Sequence, residues 1–508
     1  MKVKIKSLTP IHIGTGKKLG TLEFLNNYRI NYDKLFELVA EEKQNEFFSW
    51  LDQNPQLTVS EIQRKFNIKP QEIVNKCGLY SFTSTLPRDL NEGIKDSSNK
   101  FFIPGSSLKG SLRTALMYKV LLNSSNKNFL LKVLNDLINE TNRIDKKNIK
   151  RFLKTADDKL NEETFICGVE KEKNGRVTTT YDDQKFDLLK LVKISDSFSV
   201  STNDNGEISK LQVYALQKVP AHKPFITYTE SIKENVELEF DISVDIEFLK
   251  KAKEELNKPN SEFGKKFFIG IENKLKNLFD IDIKNESEFT EKKIVDSLIK
   301  SWNEFGTAVS NLEREWINSI NNIGNANIRS LDNLYNTENK FKVGFGTGFS
   351  GMTIFPLLLK DTSLKQKVFE FYKAVNIGSH TSNRNNPTKL NIDEFPFTRK
   401  YSNNQNIYGG FGWVKFYNND FAITEINISE EKKIKQRPPN SVTAEIIDDK
   451  SKPPKVKILD GEHQGKETTL PGVRLEGLGL KNGSKVFVEL VFQKKALQKA
   501  DYRGKAEE

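Results

Sequence analysis

The 508-residue sequence predicts an α+β chain ending in a small β-barrel, and three observations predict it. The N-terminal run MKVKIKSLTPIHIG alternates lysines with apolar residues, as a strand with one buried and one basic face does. Charged stretches with apolar residues at helical spacing interrupt the strands; between Asn126 and Asn161, Phe129, Leu130, Val133, Leu134 and Leu137 form one stripe. From Val442 to Phe492, short alternating runs are separated by Gly461, Gly465, Gly472, Gly477 and Gly483, the punctuation of a small barrel of OB or S1 type.

Composition narrows the chemistry. Lys and Arg number 79 against 68 Asp and Glu, a formal charge of +11 that suits a polyanionic partner, although Lys and Asn are abundant throughout. Cys77 and Cys167 stand ninety residues apart with no neighbouring Cys or His, so neither a zinc site nor a disulfide framework is expected. That usage fits a reducing, cytoplasmic compartment. No apolar run has signal-peptide or membrane-spanning length, and neither metal nor cofactor is expected.

Along the chain, the first strand leads into a glycine loop, TPIHIGTGKKLG, where Gly14, Gly16 and Gly20 surround Lys17 and Lys18. Backbone amides and two ammonium groups there suit phosphate or sugar, while His12 reads as a packed loop residue or a general base. A hairpin turns at Asn26 and Asn27 between Thr21–Phe24 and Tyr28–Tyr32. A helix follows from Asp33 to Leu51, then an inserted polar helical stretch from Ser60 to Lys76 and a strand from Leu79 to Leu86.

The stretch FFIPGSSLKGSLRTAL, Phe101 to Leu116, passes through Pro104 and Gly105 into a helix that continues to Leu122. Ser106 or Ser107 is placed to cap it, and Leu108, Leu112, Ala115 and Leu116 face a core. Lys109 and Arg113 share another face near the helix N-terminus, which reads either as a phosphate cradle or as an ordinary solvated face. Strands are expected at Leu188–Val200, Lys210–Val219, Phe225–Ser231 and Val236–Asp245, the last two as a hairpin. Helices at Ile246–Leu256, Glu262–Leu278 and Lys292–Ser319 look poor in continuous apolar surface.

A second glycine loop, KVGFGTGFSGMT, contains Gly344, Gly346, Gly348 and Gly351. It satisfies G-x-G-x-x-G, but the surroundings of a dinucleotide fold are missing and there is no HRD or DFG of a kinase. What remains is a loop whose backbone approaches something closely, with Phe345 and Phe349 available to stack. Trp413–Tyr417 and Phe421–Ile428 read as closing strands, Glu430–Asn440 as a linker. The barrel's Lys452, Lys455, Lys457, Lys466 and Lys481, with a basic tail from Lys494, suit nucleic acid or merely solubility.

The ordered motifs TPIHIGTG, IPGSSLKGSLRTAL, ISDSFSV, ITYTESI and GFGTGFSG resemble the RAMP superfamily of CRISPR systems, and within it the fifth-subunit family of type III-A Csm complexes. The resemblance runs from about Met1 to about Ile428. It implies two ferredoxin-like, RRM-related βαββαβ halves, 1–200 and 201–429, with helical insertions; 430–508 would be the basic linker and barrel. It implies a non-catalytic RNA-binding subunit that caps the guide filament at the crRNA 3′ end and supports crRNA maturation. Expected partners are the CRISPR guide RNA and neighbouring RAMP backbone subunits, with target RNA and recruited nucleases as further ones and no membrane. The motif matches place Ser106, Ser107, Lys109, Arg113 and Gly344 to Gly351 along RNA; His12, Gly14, Lys17, Lys18 and Gly105 join them from the reading of the loops. Two alternatives stay open. One is a RAMP-type endoribonuclease using His12 with Lys17 or Lys18, or a metal-assisted site at Asp89 or Asp96. The other is a protein-interaction scaffold whose charge is incidental.

Overall fold

The first strand, β1 (Lys2–Ser7), alternates as its sequence demands, with Val3, Ile5 and Ser7 buried and Lys2 and Lys4 exposed. The computed structural model containing it describes every residue except 21–22, 55–57, 85, 124–125, 142–148, 216–225, 319–330, 332–333, 375–394, 397, 405–406, 418–440, 474, 476–479, 494–495 and 507–508. The expected strand at Phe421–Ile428 and the linker therefore lie outside the described residues. The chain divides into two units, Met1–Ile423 and Thr424–Glu508.

In the first unit, β1 is the middle of a five-stranded antiparallel sheet. Its partners are β9 (Val192–Ile194), β12 (Glu237–Val244), β13 (Lys340–Lys342) and β16 (Trp413–Phe416), in the order β13-β16-β1-β12-β9. Strands from both sides of residue 200 thus pair directly. A six-stranded sheet combines β2 (Gly14–Leu19), β6 (Leu90–Gly93), β10 (Gly206–Ala215), β11 (Ile226–Ile232), β14 (Thr398–Asn404) and β15 (Ile407–Gly409) in the order β15-β14-β10-β11-β6-β2, parallel only between β6 and β11.

The expected hairpin of residues 225–231 with 236–245 is corrected by this topology. β11 pairs with β10 and β12 with β1, because the chain turns from one sheet to the other at Asn235, whose φ is 65° and whose N–H donates to the Ser7 carbonyl. The Leu188–Val200 strand is also shorter than expected, since Leu188–Leu191 is a 3-10 turn capped by Asp187.

The hairpin at Asn26 forms as expected between β3 (Phe24–Leu25) and β4 (Tyr28–Ile30), and β5 (Gly78–Ser81) pairs with β4. Between them lie α1 (Tyr32–Glu37), α2 (Gln44–Gln53), α3 (Val59–Lys65) and α4 (Pro70–Cys77), so the two long helical stretches are four short helices. They enclose a core of their own with Leu35, Phe47, Ile62 and Ile73 fully buried. Thr58 and Glu61 form a capping box that starts α3. A second exposed hairpin is β7 (Val169–Lys173) with β8 (Arg176–Thr180).

Further helices are α5 (Gly105–Leu121), α6 (Lys127–Thr141), α7 (Ile149–Thr164), α8 (Thr202–Asn205), α9 (Ile246–Asn257), α10 (Ile271–Phe279) and α11 (Glu291–Asn318), with three more at Gly348–Met352, Phe355–Leu358 and Thr362–Ala374. α11 overturns the impression of a charged surface helix. Ile294, Val295, Leu298, Ile299, Trp302, Phe305 and Val309 are buried in the main core, because the lysines and glutamates of this helix, the buried Glu313 apart, keep to its other side.

The second unit is a nearly closed barrel-like sheet of β17 (Val442–Asp448), β18 (Lys455–Ile458), β19 (Glu467–Thr469), β20 (Lys485–Gln493) and β21 (Ala496–Lys505), ordered β19-β18-β17-β20-β21, with β19 returning to touch β21. Ala444, Ile446, Val456, Val486, Val488 and Ala500 fill it. What looked like a basic tail after Lys494 is thus the last strand.

α11 runs so close to β13 that a Cβ on Gly306 would lie 1.9 Å from the Lys340 carbonyl oxygen. Gly306→Ala should therefore destabilise the first unit by about 3 kcal/mol, read as a lower midpoint in denaturant unfolding followed by circular dichroism.

Candidate nucleic-acid interface

Helix α5 begins where only glycine fits, since a Cβ on Gly105 would sit 2.3 Å from the Ile194 carbonyl oxygen at the end of β9. The Gly105 N–H donates to Asp196 Oδ1 at 2.7 Å, so the protein's own carboxylate takes the position at the helix N-terminus where a phosphate was expected. Pro104 is the N-cap, and neither Ser106 nor Ser107 caps.

The two cations of this helix are also engaged internally. Lys109 Nζ donates to the Val192 carbonyl at 2.6 Å, and burial pushes its pKa down. Arg113 donates from Nη1 to Asp187 Oδ2 at 3.0 Å and from Nε and Nη2 to Asn161 Oδ1, while its guanidinium lies 4.2 Å from the Phe165 ring centroid. Both are struts that tie α5 to neighbouring elements, a structural use of the two cations from which the sequence suggested a phosphate grip.

What α5 leaves open is small and uncharged. Ser106 and Gly110 are exposed, and a Cβ on Gly110 would meet nothing within 4 Å. Ser107 and Thr114 lie within a turn of Ser111, whose hydroxyl donates to the Lys342 carbonyl at 2.8 Å and accepts from Trp302 Nε1. α5 is thereby fastened to the strand that feeds the second glycine loop.

That loop rests on a buried charge cluster. Lys342 Nζ lies 2.7 Å from Glu313 Oε1 and donates to the Gly346 carbonyl at 3.3 Å. Arg399 Nη1 lies 3.5 Å from the same carboxylate oxygen, and Arg399 Nη2 donates to Ser350 Oγ at 3.0 Å. Burial pushes the Lys342 pKa down and the Glu313 carboxylate opposes that shift.

The two glycine loops meet at His12. The Phe345 N–H donates to the His12 carbonyl at 2.8 Å, and a Cβ on Gly344 would fall 2.5 Å from that oxygen. The His12 ring is edge-on to Phe345 with centroids 5.7 Å apart, and its Nδ1 donates to the Glu230 carbonyl at 2.7 Å. Desolvation pushes its pKa down. The His12 side chain is therefore a buried strut, not the exposed base or RNA contact that the sequence allowed.

Around this junction, Gly14, Lys17 and Lys18 are exposed on β2, the outer strand of its sheet. Neither lysine has an ion pair among the described residues. Gly346 and Gly348 take φ of 85° and 68°, Gly351 is buried against Thr347, and Phe345 and Phe349 are partly exposed. Lys400 Nζ lies 4.5 Å from the Phe345 centroid. Asp89 is exposed, whereas Asp96 accepts from the Ser98 and Lys100 amides; bonds from Ser199 and Lys100 hold its carboxyl below the usual range. Among the described residues no group of three His, Cys, Asp or Glu is placed to hold a metal.

The family model described as the RAMP superfamily matches residues 4–308. This chain belongs to the RAMP superfamily. This RAMP protein is similar to the CRISPR system Cms protein Csm5 of Methanocaldococcus jannaschii, 27% identical over 82% of this chain and 88% of that protein. Csm5 of Streptococcus thermophilus is 26% identical over 52% of this chain and 70% of its own length. A chain in the cryo-EM structure of a Csm-crRNA-target RNA ternary complex shares the fold, with a TM-score of 0.54 and 20% identity, over 82% of this chain and all of that one.

Sequence reasoning missed Glu313, Arg399 and Lys400, which lie far from the glycine motif in sequence. One signal was present: β13 reads KFK, and all three of its residues are buried, so its lysines needed partners.

Two outcomes follow from the struts. Arg113→Ala should cost about 2 kcal/mol of stability by leaving Asp187 Oδ2 without its charged partner, without a matching loss in nucleic-acid affinity measured at a temperature where the variant is folded. For His12, the unfolded ring gains a proton as pH falls through 6.5 while the folded ring resists until lower pH. Its contribution is whole above 6.5 and lost as pH falls through the folded value, so thermal melts should drop more steeply on acidification for the native chain than for His12→Gln.

Proposed function

We propose that this chain is a non-catalytic crRNA-binding subunit of a type III-A Csm antiviral ribonucleoprotein, placed at the crRNA 3′ end of the guide filament and supporting crRNA maturation. The observation that carries the reading is the junction at His12, where both glycine loops present backbone beside exposed Lys17, Lys18 and the Phe345–Lys400 pair. Cations and amides hold phosphates, and a ring backed by a cation stacks bases without reading them. The open Ser106–Gly110 stretch of α5 adds a surface that a sugar-phosphate backbone can approach closely. The similarity to Csm5 proteins supports the assembly, with crRNA, target RNA and other Csm subunits as partners.

The ribonuclease alternative is disfavoured because two of its candidates, His12 and Asp96, are engaged within the protein. His12 is buried on a backbone carbonyl, and Asp96 holds its own turn.

The finer architecture belongs to the same reading. β1, α5, β9, β12, α11 and β16 follow βαββαβ connectivity, with β1 between β12 and β16, which supports one ferredoxin-like half built from both sides of residue 200. In the barrel, β17 lies between β18 and β20 while β19 returns to β21, the cyclic order first-second-third-fifth-fourth of an OB-type barrel.

Binding of single-stranded RNA should weaken steeply as salt rises; a salt-independent signal in fluorescence anisotropy would sink the reading. Gly110→Glu is the sharper test. It adds charge and bulk in open space on a helix, so the melting temperature should hold or rise while RNA affinity falls about tenfold; unchanged affinity would remove α5 from the interface.

A further inference from the structure

A cleft of about 190 Å³ opens beside the first glycine loop, lined by Thr15, Arg29, Tyr80, Glu92, Lys95 and Asn99, with Leu79, Gly93 and Asp96 completing it. It is smaller than the roughly 300–1,000 Å³ of pockets that take drug-sized ligands, and suits one nucleobase. Three of its lining residues, Tyr80, Gly93 and Lys95, are held by one buried carboxylate. Glu230 is fully buried; it accepts from the Tyr80 hydroxyl at 2.9 Å and the Gly93 N–H at 2.9 Å, and pairs with Lys95. The Lys95 ammonium lies 4.6 Å and 4.8 Å from the Tyr80 and Phe101 ring centroids and also donates to the Gly93 carbonyl. The same Glu230 supplies the carbonyl that fixes His12, so cleft and loop junction share one residue.

Two lining groups have hydrogen-bonding capacity to spare. Arg29 makes one hydrogen bond among the described residues, from Nη1 to the Glu23 carbonyl at 3.3 Å, and its guanidinium lies 5.7 Å from the Phe24 ring centroid, so other N–H groups of its fork are to spare. Glu92 accepts from Thr15 at 2.8 Å through Oε2. Asp96, by contrast, is spent on its own turn. A guanidinium facing the same small space as a carboxylate matches the edges of guanine, whose O6 and N7 accept while N1–H and the N2 amino group donate. No other base offers a guanidinium two acceptors and a carboxylate two donors.

We propose that this cleft takes one unstacked guanine of the bound RNA strand, with Arg29 on its acceptor edge and Glu92 on its donor edge, so that a chain that otherwise grips RNA without regard to sequence reads one base. The strand is the source because Thr15, an exposed lining residue, belongs to the same β2 strand as Lys17 and Lys18. The proposal rests on the RNA-binding reading above.

The test uses the full chain with 5′-labelled oligouridine and the same oligomer carrying guanosine substitutions, in fluorescence anisotropy. The guanosine oligomer should bind about tenfold tighter, and Arg29→Lys and Glu92→Gln should each erase that preference while leaving oligouridine affinity and its salt dependence unchanged. Thermal melts confirm that both variants fold. Equal affinity for the two oligomers, or a preference that survives both substitutions, overturns the proposal while the RNA-binding reading stands. Guanosine monophosphate binding as tightly as the oligomer overturns the assignment to a strand-borne base. If the native chain binds neither oligomer, the RNA-binding reading fails first and the cleft loses its ligand with it.

Discussion

Glu313 sits where two cations meet below the second glycine loop, and the loop depends on it. Burying Lys342 and Arg399 is costly unless an anion shares their space, and removing one partner of such a set costs several kcal/mol because the remaining charge is stranded. Once the three are together, the spare hydrogen-bonding capacity of each cation reaches outward, from Lys342 to the Gly346 carbonyl and from Arg399 to Ser350. A glycine-rich segment with positive φ at Gly344, Gly346 and Gly348 has little intrinsic preference for one shape. The charge cluster supplies that preference, and His12 fixes the other side.

The same economy explains α5. A helix with Lys109 and Arg113 near its N-terminus invites an electrostatic reading, but each cation lies within reach of a protein acceptor: the Val192 carbonyl, Asp187 and Asn161. Intramolecular partners are present at full effective concentration and win over a ligand that must arrive from solution. The surface that α5 leaves open is then Ser106 and Gly110, and the exposed cations nearest in the sequence motifs are Lys17 and Lys18 on β2.

Much of the fold was legible because burial periodicity is local. The alternation of β1, the stripe of α6 and the glycine-punctuated barrel strands all follow from spacing along the chain. Pairing was not legible in the same way: nothing in residues 225–245 says that β11 and β12 belong to different sheets, because that choice is made by Ser7 and by β1, more than two hundred residues away. The site divides along the same line. Gly105, Gly344 and Gly346 were visible as glycines, and their tight approaches to other backbone or to Phe411 explain the residue type. Whether Lys109 and His12 face solvent or the interior depends on Val192 and Glu230, which periodicity cannot reach.

The four-helix insertion carries a consequence for how this family can vary. It leaves the fold beside β3 and β4 and returns through β5, which pairs with β4, so entry and exit are neighbours across one small sheet. Its apolar residues satisfy one another in a separate core. Such a segment is a cassette: it can be lengthened, shortened or exchanged for a turn with the two large sheets left as they are. Sequence drift in this part of the chain is then free of the packing that holds the two glycine loops in shape.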